Sequence, residues 1–398
     1  MSNSVGVGGG GLYYAVNHHG ELKSLYQLTM DELRQIKSET FHCPNCHERL
    51  LVRAGPKVTP HFAHFPKSNC VLHKGESVIH ETGKWDLFHW MKRQGYNVEL
   101  ETYLKEIQQR PDILITYREK RIAFEYQCST ISIKEITKRN QAYLREGIFP
   151  LWILGIKQLK QHSHRGFLLN DFLRSFLYYF NDQFHLYFYD PDQKQMIVLS
   201  NLHYTGKPYV YGVVNGYPLP SFKFPQLFTA KKSSLKYPLT HSWEKLLYNH
   251  RTRYKAKVSS LEYQFRQYVY LNGHHFSLIP SVCYLPVAGQ LSLKMKPYIW
   301  QTRLLMDHFM KKSVGEIGQF PSIFTPPTIN QYQVDVAMQY VNLLEGLEVL
   351  KKINSNQWVK KKEITFHQNM KNALEDDKNM INQLKNLQRI HNLEGFVP

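Results

Sequence analysis

The chain has 398 residues, enough for two or three domains with substantial cores. Its 50 Lys and Arg against 32 Asp and Glu give a net charge of +18 and a pI near 9.5, which favours a polyanionic partner without separating DNA from RNA or an anionic membrane. Five cysteines do not form a secreted disulfide framework, no apolar run approaches a transmembrane length, and the start lacks the regions of a signal peptide, so the expectation is a cytoplasmic protein without membrane insertion.

Residues 1–11, rich in glycine, read as a disordered tail. From residue 12 a β-rich module follows: a strand at 12–17, a turn at His18-His19-Gly20, a strand at 22–25, and a small helix opened by Thr29 with Glu32 three residues on. Next come Cys43-Pro44-Asn45-Cys46, His61-Phe62-Ala63-His64 and Cys70. Two thiolates at this spacing make half of a tetrahedral Zn²⁺ site, and a His with a Cys or a second His makes the other half. His64 with Cys70 is the preferred closing pair, and His61 is the main substitute. Phe62 and Phe65 are expected in the sparse core of this zinc ribbon, residues 12–73.

Residues 74–160 carry the second constellation. Glu76, His80 and Lys84 recur every four residues, one stripe on a helix, and Leu87, Phe88 and Met91 suit packing on a sheet. A strand at 96–104 contains Glu99 and Glu101. Pro111-Asp112 opens a strand at 113–116, a turn through Arg118, Glu119 and Lys120 follows, and a strand at 121–128 carries Glu125-Tyr126-Gln127. Alternation puts Glu125 and Gln127 on one face, where Asp112 can sit beside Glu125. Acids kept beside apolar runs such as Ile113-Leu114-Ile115 and Ile122-Ala123-Phe124 are costly unless paired or metal-bound. Mg²⁺ or Mn²⁺ takes one or two carboxylates and completes its shell with water and phosphate, so the pair points to phosphodiester chemistry. A helix at 133–146 and an apolar strand at 150–154 complete the unit.

Beyond it, 168–179 presents a Phe, Leu and Tyr face, and strands at 184–189 and 196–199 flank Asp190-Pro191-Asp192 as a hairpin. Residues 201–240, with many Pro, Tyr and Lys and little periodicity, read as an extended connector, so that 161–240 is a hairpin and connector region. A mostly helical C-terminal domain is expected over 241–398, opening with one long helix at 242–271. Arg251, Arg253, Lys255 and Lys257 on that helix lie between aromatic residues, a pattern that suits cations on phosphates and rings on exposed bases. Helices at 300–311 and 331–352 follow, then an amphipathic tail helix with Leu374, Ile381, Leu384 and Leu387, suited to docking on a partner or on its own body.

The order helix, strand, strand with Pro-Asp, strand with Glu-X-Gln, helix, strand resembles the PD-(D/E)XK nuclease superfamily, an α/β fold of the restriction-endonuclease type. The phrasing is similar to the competence protein CoiA family through Glu76-Ser77, His80, Lys84, Arg110-Pro111-Asp112, Phe124-Glu125-Tyr126-Gln127-Cys128-Ser129, Arg139, Tyr143 and Leu151-Trp152-Ile153-Leu154-Gly155. The resemblance implies a DNA-processing protein of natural transformation that acts on imported single-stranded DNA beside a RecA-type recombinase, with Arg139 among the residues facing DNA. It departs from the superfamily at Gln127, where a lysine is usual; a neutral amide can orient water but cannot offset developing charge. Lys84 is the expected replacement, and Glu76 or Glu101 the further acid. Two functions follow from this: a metal-dependent deoxyribonuclease, or a non-catalytic mediator that holds single strands for a recombinase.

Overall fold

The computed structural model describes residues 12, 14–25, 28–44, 46–55, 58–66, 68, 70, 78–181, 183–204, 208–229, 241–253, 257–293, 295–320 and 334–393. The expected tail at 1–11, Glu76 and Lys255 lie outside the described residues.

The N-terminal module contains β1 (Tyr14–Asn17), β2 (Leu22–Ser24), α1 (Met30–Ile36), β3 (Phe41–His42), β4 (Arg49–Gly55) and β5 (Val58–His64). Its strands form one sheet in the order β2-β1-β3-β4-β5. The capping box at α1 forms as expected: Thr29 accepts from the Glu32 backbone N–H, and the Thr29 N–H donates to the Glu32 carboxylate at 2.7 Å. Phe62 is buried on the core side with Leu12, Ala15, Leu33 and Phe41. Phe65, expected beside it, is exposed instead, because an odd offset along an extended chain turns it to the other face.

The central unit begins with α2 (Val78–Arg93), β6 (Asn97–Leu100), β7 (Ile113–Tyr117), β8 (Lys120–Gln127), α3 (Ile133–Arg145) and β9 (Phe149–Gly155). β6, β7 and β8 are antiparallel neighbours, and β8 pairs with β9 in parallel, which requires a crossover that α3 supplies. The hairpin between β7 and β8 turns on Arg118 and Glu119, both at positive φ (45° and 65°), the sense that matches strand twist in a two-residue loop. The sheet is a middle layer. Ile113, Ile115, Phe124 and Tyr126 pack with Leu87, Phe88 and Met91 of α2, whereas Leu114 and Ala123 pack with Tyr143 of α3. Gly83 permits the close approach of α2, since a Cβ there would lie 2.2 Å from the Tyr126 ring.

This sheet does not stop at β9. It continues with β10 (Gln161–Ser163), β11 (Gly166–Leu168), the short α4 (Asp171–Arg174), β12 (Tyr178–Phe180), β13 (Gln183–Asp190), β14 (Gln195–Tyr204) and β15 (Tyr209–Pro218). The order is β10-β11-β15-β14-β13-β9-β8-β7-β6, with β12 added on β13. The hairpin at Asp190-Pro191-Asp192 is present, but the connector expected over 201–240 holds a ten-residue strand, β15, registered along β14. Its apolar period is hidden because its second half is exposed and because Gly212 stands where a Cβ would meet Leu199 and Leu202. Backbone pairing, not alternation, holds it.

The C-terminal region contains α5 (His241–Thr252), α6 (Ser260–Leu271), α7 (Pro297–Leu304), β16 (Ile317–Gln319), α8 (Val336–Gly346), β17 (Leu350–Lys352), β18 (Gln357–Lys360) and α9 (Met370–Leu393). The single helix expected at 242–271 is two helices, because Ser259 caps a new start by accepting from the Glu262 N–H. The helix expected at 300–311 is helical only to Leu304 before a π turn, and that expected at 331–352 gives way to β17 within a sheet ordered β16-β18-β17. The tail helix docks on its own body, burying Ala373, Met380, Ile381 and Leu384. One core, including Trp152, Phe188, Trp243, Trp300 and Leu384, joins the large sheet to these helices.

Candidate active site and metal centre

Asp112 stands just before β7 and Glu125 near the end of β8, and the pairing of Ile113 with Phe124 brings them side by side. The Asp112 carboxylate accepts the Tyr126 backbone N–H at 2.8 Å. Glu125 is almost wholly buried, with both Tyr143 and Arg139 of α3 donating to its Oε1. Burial pushes the Glu125 carboxyl up to about 7, with the Asp112 charge adding to the rise and Arg139 and the Tyr143 hydroxyl opposing it. Arg139 also reaches the Arg110 carbonyl at 3.4 Å.

A second group of acids meets this pair from α2. His80 Nε2 lies 3.5 Å from Asp112 Oδ2, and His80 Nδ1 lies 3.8 Å from Glu81 Oε1. Lys84 is fully buried between the carboxylates of Glu81, at 2.8 Å, and Glu101. Arg110 pairs with Glu101 at 3.3 Å. Glu101 has a positive φ of 51° and donates its N–H to the Asp112 carbonyl at 3.0 Å, so the chain after β6 bends tightly onto the start of β7. Glu81, Lys84, Glu101, Asp112 and Glu125 thus belong to one connected set of ionic and hydrogen-bonded groups, spread over α2, the two ends of the loop between β6 and β7, and β8.

Gln127 shares the Glu125 face but donates to the Ser129 carbonyl at 2.8 Å and to its hydroxyl at 3.1 Å. Glu99, on β6, accepts from the Thr102 hydroxyl at 2.9 Å. Glu81 was not singled out from sequence. Its signal was the i,i+3 spacing to Lys84 on the face that carries His80.

Arg251 is not on a nucleic-acid surface. It is buried and fastened to Asp377 of α9 at 2.6 and 2.7 Å, to the carbonyls of Ser277 and Ile279, and to the Ser281 hydroxyl. The charged end of an arginine with five donors satisfies several carbonyls at once, which suits an inter-helix clasp. Arg253 and Lys257 are exposed.

In the N-terminal module, Cys43, Cys46, His64 and Cys70 place their ligand atoms within 4.8 Å of one another. Cys46 Sγ is 3.3 Å from His64 Nε2, and Cys43 Sγ is 4.0 Å from Cys70 Sγ. A tetrahedron with Zn–S bonds of about 2.3 Å has edges of about 3.8 Å, so these donors fit Zn²⁺ in both type and spacing. Beside the first two thiols, the Cys43 N–H donates to the Glu48 carbonyl at 2.8 Å, the His47 N–H donates to the Cys43 carbonyl at 3.0 Å, and His47 has φ 58°. His61, three residues before His64 on β5, falls on the other side of the strand and is not in the cluster.

Among the described residues, no helix is long and apolar enough to cross a membrane. The chain matches the competence protein CoiA N-terminal domain over residues 25–73, its nuclease-like domain over 76–232 and its C-terminal domain over 238–374. The competence protein CoiA of Bacillus subtilis (strain 168) is 30% identical over 273 residues, covering 67% of this chain and 72% of that protein. No solved structure matches the chain.

Proposed function

The chain belongs to the competence protein CoiA family and contains its nuclease-like domain, and from that premise we propose that it is a metal-dependent deoxyribonuclease of the PD-(D/E)XK type, acting in the cytoplasm on imported single-stranded DNA during recombination. The observation that carries this proposal is the meeting of Asp112 and Glu125 at the end of two paired strands, flanked by α2 and α3. The order α2-β6-β7-β8-α3-β9 supports the superfamily assignment.

Asp112 and Glu125 are hard oxygen donors that fit Mg²⁺ or Mn²⁺, and a bound ion would supply an activated water and a counter-charge for the scissile phosphate. Arg139 and Tyr143 hold Glu125 Oε1, and we assign Oε2 to the cation. Asp112 keeps its direction through the Tyr126 N–H. Lys84 acts here through the acids it holds, Glu81 and Glu101, because no solvent reaches its amine. Gln127, released from Ser129, would orient the attacking water; Glu76 remains a further acid of the proposal. Exposed Arg253 and Lys257 are assigned, with Lys255, to the DNA backbone. The Cys43, Cys46, His64 and Cys70 set holds a structural Zn²⁺ in this account, and a RecA-type recombinase is the proposed protein partner.

A second reading has specific support. Gln127 is turned to Ser129, and Lys84, Arg110 and Arg139 already neutralise the acids, an arrangement compatible with a non-catalytic mediator that binds single strands. Incubating labelled single- and double-stranded DNA with metal-free and Mn²⁺-loaded protein separates the two. Cleavage that needs Mn²⁺ and vanishes in Asp112→Ala supports the nuclease; binding without cleavage under every divalent metal supports the mediator.

A further inference from the structure

β8, β9 and β13 run in parallel, so Gln127, Gly155 and Tyr189 end at the same side of the sheet. The chain leaves β9 there and, by residue 161, has joined β10, the edge strand at the opposite end of the strand order from β6. The connection stays tied to the site: Gln158, next to Lys157 in the chain, donates from Nε2 to the Cys128 carbonyl at 2.8 Å, one residue beyond Gln127.

Three features of this connection and its hairpin are unusual together. No Asp or Glu occurs in the sequence between Glu146 and Asp171, whereas Lys157, Lys160 and Arg165 fall within that stretch. Lys157 and Lys160 are exposed and Arg165 is partly so, and none of the three meets a carboxylate among the described residues. All three residues of β10 are exposed, and His162 stacks on the half-open ring of Tyr209 with centroids 4.6 Å apart. An exposed edge strand is a liability for pairing, and positive side chains are one way to protect it. That role does not explain the continuation of the charge back through Lys157 to the Cys128 end of β8.

We propose that Lys157, Lys160 and Arg165 form a track for the phosphates of single-stranded nucleic acid, leading from the Asp112 and Glu125 site to the β10 edge, with the His162 and Tyr209 pair offering a ring face to a base. The proposal rests on the nucleic-acid reading of the site but not on its chemistry. Cations spaced along an extended segment match a flexible backbone with a charge on every nucleotide, and stacking on rings tolerates any sequence.

The test is fluorescence anisotropy of labelled oligothymidylate at a series of salt concentrations, with metal removed by chelation so that cleavage does not enter. Single-strand contacts each add about 0.7 to the log–log salt slope, so Lys157→Ala/Lys160→Ala/Arg165→Ala should flatten it by about 2. Lys157→Gln alone, an exposed change that leaves the fold intact, should flatten it by about 0.7. Because the metal is chelated, the slope reads binding alone whether or not the Asp112 and Glu125 site cleaves DNA, which separates this proposal from the fate of the nuclease reading. An unchanged slope in both track variants would overturn the proposal, as would a parent that binds a duplex but not oligothymidylate, or neither.

Discussion

The carboxylate of Asp112 accepts the backbone N–H of Tyr126, the residue between Glu125 and Gln127, at 2.8 Å. An acid that opens one strand is thereby fixed to the neighbouring strand at the point where the second acid projects. Asp112→Asn retains an oxygen that can accept the same N–H, so it should keep nearly the parent Tm while losing metal-dependent cleavage. Asp112→Ala should lose both the bond, worth about 1 kcal/mol or more when a buried N–H is left unmet, and the cleavage. Thermal melts beside a nicking assay check this; an Asn variant that still cuts would remove Asp112 from the metal site.

Glu125 supplies a pH dependence whose sign is fixed by its raised pKa. Burial favours its protonated form in the folded state up to about 7, so its contribution to stability is full below the ordinary carboxylate range and is lost as the pH rises through about 7. Between about pH 5 and about pH 8, the parent should therefore lose Tm relative to Glu125→Gln, whose amide does not titrate. Parallel melting profiles for the two proteins would show that Glu125 is ionised throughout.

Tyr143 donates to the same carboxylate. Tyr143→Phe removes one hydrogen bond to a charged group, with an expected loss of about 1.5–3 kcal/mol at a pH where Glu125 is ionised and a smaller loss where it is protonated. Urea unfolding on both sides of neutrality measures the difference. An equal loss at both would assign Tyr143 to packing alone.

The N-terminal module should lose its metal and its fold together. Cys43→Ser removes a buried thiolate from the four-donor set, so elemental analysis should find less zinc than in the parent, and proteolysis should nick the 12–73 module first. His61→Ala should retain full zinc, because His64 is the imidazole in the cluster. Parent protein without zinc, or equal zinc loss in both variants, contradicts the assignment.

Arg251 and Arg253, two residues apart, should respond in opposite ways. Arg251→Ala leaves Asp377 as a buried charge without its guanidinium and should cost about 3–5 kcal/mol. Arg253→Ala, on the surface, should change stability by no more than about 0.5 kcal/mol while flattening the salt dependence of DNA binding. Denaturant titration and binding isotherms on both variants decide between clasp and contact for each residue.

The sequence by itself determined the features whose physics is local. Thr29 and Glu32 close a capping box within one turn, Cys43 and Cys46 sit on one knuckle, and the apolar runs at 113–115 and 122–124 make a hairpin with Asp112 and Glu125 at one end, because each depends on spacing along a few residues. The family followed from the same short motifs. Only the tertiary structure decided which charges face solvent and which face each other. Arg251 resembled its neighbours Arg253 and Lys257 in composition, yet its partner Asp377 is 126 residues away. Lys84 stood in sequence on a helical stripe with Glu76 and His80 as the replacement for the motif lysine, and only the fold enclosed it between Glu81 and Glu101, the latter brought in by a chain reversal. The strand β15 was hidden for the related reason that its order comes from hydrogen bonds to β14, and a ladder partner leaves no period in the strand it holds.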